Sequence, residues 1–407
     1  MEPTPPFDVI IVGAGPAGAA AAYFLGEAGQ RVVVLEKNTV PRYKACGGGL
    51  SARMLEKWFP FSFEPVVETR PRSITYSFGS HTVTLPVTDR SMRLVMRDRF
   101  DAYLLAHAQA EVRPGAAVQT VCETPAGVRV ETADGALIEG RYLIGADGAN
   151  SVVARSVGLR RSKTLVAAIE AEAYVPPEVW SRFADGPWFI VGELKLGYLW
   201  IFPKSDHLSV GIGALHPKAG ELQAVLARVM ARYGISLAGV PLHGHPIPIY
   251  IRHEPLATAR TLLVGDAAGL VDPFSGEGIR LAIKSGRLAA QAILANQPEK
   301  YTATIQHQIG LSHMLGWAVT WLFFHFQPLG FALFVPNPVV TQACVDMLSD
   351  QTSYWETILR SLGTLPISLL ARAINRLTAL FASRQHPSAP SSSDSHLAPP
   401  PGSPATG

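Results

Sequence analysis

The sequence predicts an α/β chain, α+β overall. A discontinuous Rossmann-type nucleotide domain is expected to carry an inserted antiparallel-sheet domain and apolar C-terminal helices. Three observations carry this expectation. Val9–Val12 is a continuous apolar run that ends in Gly13-x-Gly15-x-x-Gly18 and opens an alanine-rich stretch. Far downstream, Thr261–Val264 is a second short apolar run ending in a small-residue turn, Gly265-Asp266-Ala-Ala-Gly269. Between the two lie stretches of strict alternation such as Ser73–Phe78 and His207–Gly213.

Phe7–Val12 has the β-branched composition of a strand buried on both faces. A helix is expected from about Pro16 to Ala28, with Gly29 as its C-terminal stop. Arg31–Glu36 is the next strand, completing a βαβ unit with a right-handed crossover. Alternation in Arg72–Val87 and Leu165–Leu215 predicts the antiparallel sheet. Arg97–Gln109 reads as a helix and Tyr142–Ile144 as a core strand. Thr261–Val264 is another core strand, followed by a helix over Gly278–Leu294. The expected nucleotide domain is therefore 1–70, 93–160 and 255–298, and the expected substrate domain is 71–92 and 161–254. Residues 299–385 form an apolar helical region, and 386–407, rich in Ser, Pro and Ala, a disordered tail.

Composition narrows the function classes. Hydrophobic residues make up 48% of the chain, charged residues only 16%, and the net charge is +3. That charge is too small to argue for nucleic acid. Three widely spaced cysteines exclude a disulfide framework and a cysteine-rich zinc site, and point to a reducing compartment. No targeting signal precedes the first strand, so the expected location is cytoplasmic. Residues 301–345 contain no Asp, Glu, Lys or Arg. Gly310–Phe326 is strongly apolar but short for a span, and carries His313 and His325. Leu369–Phe381 places its apolar residues on one helical face among arginines, the pattern of an interfacial helix and of peripheral membrane contact.

Four segments carry binding chemistry. Gly13, Gly15 and Gly18 supply a tight turn, close approach to a pyrophosphate and helix–strand packing. Pro16 and Ala17 open the helix whose N-terminus would face the phosphates. Glu36 closes the second strand, where it can accept from ribose hydroxyls, with Lys37 beside it. Arg97 is suited either to a phosphate or adenine contact, or to a solvated helix start capped by Asp98. Asp147 and Gly148 follow a core strand, and Asp147 can accept from a ribose or ribityl hydroxyl. Gly265 and Asp266 follow the last core strand. Pro273 would fix the next loop, and Gly276-x-Gly278-Ile279 presents a helix N-terminus able to favour electron density on a reduced isoalloxazine ring. One dinucleotide held from both ends of the chain points to FAD.

Together these segments resemble the flavoprotein superfamily of p-hydroxybenzoate hydroxylase, flavin halogenases and geranylgeranyl reductases, from roughly Phe7 to Leu294. Lys44-Ala-Cys-Gly-Gly-Gly49 resembles the Lys-x-Cys-Gly-Gly-Gly stretch of geranylgeranyl reductases. Gly197-Tyr-Leu-Trp-Ile-Phe-Pro203 resembles their Tyr-x-Trp-x-Phe-Pro motif. Ala45 and Lys195 stand where proline is frequent, and Asp272 where asparagine is frequent.

The resemblance implies an FAD-dependent reductase of prenyl C=C bonds, acting on a long geranylgeranyl isoprenoid with electrons from NAD(P)H or another donor. It places Gly47 and Gly48 against the flavin ring and Cys46 at its edge, as a candidate acid or a buried structural thiol. Tyr198, Trp200 and Phe202, ending at Pro203, share one strand face. That face is either an aromatic substrate wall or ordinary core. A flavin monooxygenase or halogenase is the rival reading. Against the halogenase, no lysine occurs between Lys57 and Lys163. A non-catalytic flavin-binding protein is a third. His243-Gly-His245 lacks partner ligands and reads as a loop, and no metal is expected.

Overall fold

Continuous apolar runs between glycine turns build the centre of the molecule. The computed structural model describes residues 7–88, 91–160 and 162–364. Strand β1 (Phe7–Val12), helix α1 (Pro16–Glu27) and β2 (Val32–Glu36) form the βαβ start. Gly29 follows α1 at φ +75°, the left-handed conformation a helix stop needs. Next come β3 (Gly49–Leu50), α2 (Ala52–Trp58), β4 (Val67–Thr69) and the pair β5 (Ser73–Phe78) and β6 (His81–Pro86). β7 (Arg93–Val95) and α3 (Arg97–Ala106) lead to β8 (Glu111–Pro114), β9 (Val118–Glu123), β10 (Val128–Thr132) and β11 (Leu137–Gly145).

After α4 (Val152–Ser156) the chain runs through β12 (Thr164–Ala173), α5 (Pro177–Trp180), β13 (Trp188–Val191), β14 (Gly197–Pro203) and β15 (Leu208–Leu215). It continues through α6 (Glu221–Arg232) and β16 (His243–Ile249). β17 (Thr261–Leu263), α7 (Gly265–Ala268) and α8 (Ile279–Leu294) return to the first sheet. Then follow α9 (Tyr301–Ile305), a π-helical turn, α10 (Leu311–His325), α11 (Gln327–Phe334) and α12 (Pro338–Leu348), with residues 354–363 also helical.

The first sheet has the order β8-β2-β1-β11-β10-β9, with β17 beside β11. β8, β2, β1, β11 and β17 are parallel, and β10 and β9 extend the sheet antiparallel. Val9–Ile11 and Val33–Val34 are fully buried, as central parallel strands require. Helix α8 lies against α1 through small residues: a Cβ on Gly286 would stand 2.3 Å from the Ala17 carbonyl oxygen. The second sheet has the order β16-β12-β15-β14-β13-β5-β6, antiparallel except where β13 meets β5. It is built from strands inserted between the parts of the first sheet, which is the α/β architecture expected.

One element corrects the sequence reading. His243-Gly-His245 is not a loop but the start of β16, paired with β12 from Glu170 opposite His243 to Thr164 opposite Ile249. Pro246 and Pro248 are tolerated because β16 is an edge strand, whose outer side needs no N–H donors. The interfacial helix expected at 369–381 and the tail after 386 lie outside the described residues.

Candidate active site

The cofactor end is assembled where β1, β2 and β11 finish. Gly13 adopts φ +103°, and a Cβ there would be 2.4 Å from the Ala146 oxygen, so the two strand ends touch through bare backbone. A Cβ on Gly18 would be 1.9 Å from the Gly13 oxygen, so Gly18 serves helix–strand contact. Gly15 differs: the nearest atom to a Cβ there is the Arg42 guanidinium at 3.6 Å. Helix α1 starts with Pro16 and has no side-chain cap, leaving its first N–H groups for an anion. Glu36 is buried and accepts from the amides of Ala14 (2.9 Å) and Asn38 (3.1 Å), with Arg42 Nε 3.5 Å away. Helix α8 starts after Gly278, with the Glu277 carboxylate accepting from the Arg280 amide at 2.6 Å.

The starts of both helices line one cavity of about 1310 Å³. Gly13, Gly15, Pro16, Ala17, Glu36, Lys37, Gly148, Asp266, Gly276 and Ile279 line it. A phosphate cradle, a buried acid at the ribose position and a second helix end form the donor and acceptor set that FAD needs. The residues present fit that group.

Other assignments change. Asp147 lines the cavity, but its carboxylate accepts from Ser151 Oγ (2.5 Å) and from the amides of Val152 (2.6 Å) and Val153 (3.1 Å). It caps the turn into α4 while facing the cavity. Arg97 is buried rather than solvated, and it lines the cavity. It forms a buried two-pronged pair with Asp101 at 2.8 and 2.9 Å, and Asp101 also accepts from Arg42 at 3.1 Å. Asp98 is not the cap residue, which is Met96, but accepts from the Arg99 amide at 2.7 Å inside the first turn of α3. Gly18, Gly265, Pro273 and Pro203 stand behind the cavity wall. Gly265, at φ +55°, packs against Ala17 and Ala282; Pro273 borders a minor pocket; Pro203 accepts from Thr69 Oγ1 at 2.8 Å.

At the middle of the cavity the Cys46–Gly49 run threads between side chains. A Cβ on Gly47 would be 2.8 Å from the Phe202 ring, and Gly48 adopts φ +69° with its N–H 3.4 Å from Cys46 Sγ. Buried Lys204 donates to the carbonyls of Gly47 (2.7 Å) and Val95 (2.9 Å), holding this run on the second sheet. Lys44 Nζ lies 2.6 Å from His245 Nε2, which is 3.7 Å from Asp266. Burial and the Arg97 charge push the Lys44 ammonium below its usual value. Burial works against the Asp266 carboxylate, yet His245 and Lys44 hold it low, so a charged cluster faces the cavity.

Tyr198, Trp200 and Phe202 share one face of β14 and line the same cavity. Trp200 lies over the bare backbone of the neighbouring strand, where a Cβ on Gly211 would be 2.1 Å from its ring. The Tyr198 hydroxyl donates to the Ser275 carbonyl, joining this wall to the loop before α8. Beyond the wall the cavity continues into an apolar annex lined by Phe323, Phe331 and Leu333 from α10 and α11. Asp272 explains its own departure from asparagine. It is buried and accepts from the amides of Phe274 (3.0 Å) and Ser275 (2.7 Å), from Ser275 Oγ (2.8 Å) and, through both oxygens, from Tyr354 Oη (2.9 Å). Every hydrogen bond to these two oxygens comes from a donor, whereas asparagine would place an NH2 group at one of them.

A family model described as an FAD binding domain matches residues 6–192. The chain is 31% identical to the menaquinone reductase of Mycolicibacterium smegmatis, over 73% of this chain and 78% of that one. It is also 31% identical to the chloroplastic geranylgeranyl diphosphate reductase of Oryza sativa, over 70% of this chain and 66% of that one. The chain belongs to the geranylgeranyl reductase family. It is thus an FAD-dependent oxidoreductase. The family fold extends to the C-terminal helices: a geranylgeranyl bacteriochlorophyll reductase-like protein from Thermoplasma acidophilum superposes with TM-score 0.72 at 24% identity, covering 90% of this chain and 98% of that one. Within this family member, sequence reasoning missed Arg42, Lys44, Lys204 and His245. Lys44 and Lys204 adjoin recognised motifs, whereas His245 reaches the site only through strand register.

Proposed function

We propose that this family member saturates C=C bonds of a long isoprenoid, with electrons from NAD(P)H or another donor. The observation that carries this reading is the single cavity running from the FAD cradle past Tyr198, Trp200 and Phe202 into the Phe323–Phe331 annex. FAD, bound there and reduced, would supply a hydride to one alkene carbon. An isolated alkene offers no carbonyl to polarise, so the protein contributes position and a proton. The aromatic wall and annex hold an apolar chain by area and exclude water. Lys204, through Gly47, fixes the run that carries Cys46, and Tyr198 fixes the loop before α8.

Menaquinone, geranylgeranyl diphosphate and a geranylgeranyl phospholipid, each mixed anaerobically with dithionite-reduced holoenzyme, test the reading. Flavin reoxidation with a product gain of two hydrogens per bond is expected for at least one. Reoxidation by oxygen alone, with no prenyl product, would favour the monooxygenase rival.

Substrate of this kind sits in a bilayer. Trp321, Leu322, Phe326 and Leu329 are about half exposed around the bend between α10 and α11, and three of them also line the cavity. We propose that this bend docks on the membrane surface and is the substrate's entrance.

A further inference from the structure

A row of acids on β12 has no place in the chemistry described so far. We propose that Glu170, with Glu172 and His207 behind it, is the path that brings a proton from solvent into the reaction cavity. This rests on the proposed reductase reading. Ala168, Glu170 and Glu172 share one face of β12, opposite Gly213, Gly211 and Ser209 of β15. The two glycines leave that face open beside Trp200, so Glu170 lines the same cavity as the aromatic wall.

Glu170 is 2% exposed and accepts from Ser209 Oγ at 3.0 Å. Outward from it, Glu172 lies 3.0 Å from His207 Nε2, and His207 Nδ1 lies 2.7 Å from Asp206, whose side chain is 68% exposed. Ionisable groups therefore succeed one another from the surface to the cavity, with Glu172 Oε2 and His207 Nε2 close together but outside hydrogen-bond geometry.

The electrostatics suit proton storage. Burial and the adjacent Glu172 push the Glu170 carboxyl up, while His207 holds Glu172 low against its own burial. The pair keeps one proton, on the cavity side. The other groups around Glu170 are Tyr43, raised by burial and by both glutamates; Lys204, whose ammonium is bonded to Gly47 and Val95; and His243, opposite Glu170 on β16.

In the step, the alkene π bond breaks. One carbon takes a hydride, which bound reduced FAD would supply and so be oxidised, and the proton leaving the Glu170 O–H ends on the neighbouring carbon. Glu170, left as a carboxylate, regains a proton from solvent through His207 and Glu172.

The test uses pre-reduced holoenzyme mixed anaerobically with menaquinone or geranylgeranyl diphosphate across a pH series. Wild-type reoxidation should slow at alkaline pH as Glu170 ionises. Glu170→Gln, nearly isosteric, should keep the flavin spectrum, lower the rate on the order of tenfold or more and lose the alkaline inflection; Glu170→Asp should recover part. A Glu170→Gln enzyme with wild-type rate and pH profile overturns the proposal. If wild-type enzyme reoxidises with neither probe, the reductase reading fails instead, and infrared spectroscopy decides the proton. A protonated-carboxyl stretch at neutral pH that vanishes in Glu170→Gln supports storage at this residue, and no such band overturns it.

Discussion

A side chain at Gly15 and one at Gly18 meet opposite fates, although both belong to one motif. Gly15→Val has room in the folded chain, so the variant should keep its thermal unfolding midpoint yet purify without FAD, since the added methyls occupy the pyrophosphate's approach. Gly18→Val drives Cβ into the Gly13 carbonyl and should instead yield little folded protein. Gly211→Ala adds a Cβ 2.1 Å from the Trp200 ring and must push the indole into the cavity. Prenyl turnover should fall at least tenfold while FAD content stays unchanged, read by absorbance and by product mass. At this scale the glycines were legible because backbone geometry is written in residue type. The roles of Glu170, Lys204 and His245 were not, because a lone charged residue in a strand shows its burial only once its neighbours across the sheet are known.

Helix α10 carries a titrating weakness. His313 is buried between Tyr250 and Tyr354, with Asp272 3.8 Å away, and neither ring nitrogen has a hydrogen-bond partner among the described residues. Burial depresses it to about 4, with Arg280 and Lys284 adding to the effect and Asp272 opposing it. The unfolded chain binds a proton here below its ordinary value near 6.5, whereas the folded chain resists until about 4. Stability is therefore lost as pH falls through that window, by on the order of 3 kcal/mol at its acid end. Urea midpoints measured at several pH values should decline toward acid in wild type and decline less in His313→Phe; parallel curves would contradict the assignment. Helices and strands of this kind were readable from periodicity and from the glycines and prolines that end them. The strand β16 was not, because its prolines signal a loop unless an edge position is known.

At the largest scale, among the described residues, the two sheets and the C-terminal helices line one space, and the bend between α10 and α11 is the entrance proposed for it. Replacing Trp321, Phe326 and Leu329 together by serine should abolish flotation with phospholipid vesicles while leaving the flavin spectrum intact; unchanged flotation would move the membrane contact elsewhere. The α/β class and the insertion were visible in the order of runs and turns. How far the annex joins the cofactor site was not, since apolar residues in 301–345 serve equally as core, lining or surface until packing sorts them. The clasp formed by α1 and α8 has a further consequence, for synthesis. β1 and α1 leave the ribosome well before β17 and α8, and until those have emerged the cradle begun by the first pair lacks a wall. The cofactor therefore cannot lock the early half in place, and that half must persist as a bare sheet edge while the second sheet is made. A nascent chain halted before Thr261 should be colourless and one released after Leu294 yellow, so acquisition of colour marks the moment when chain closure is complete.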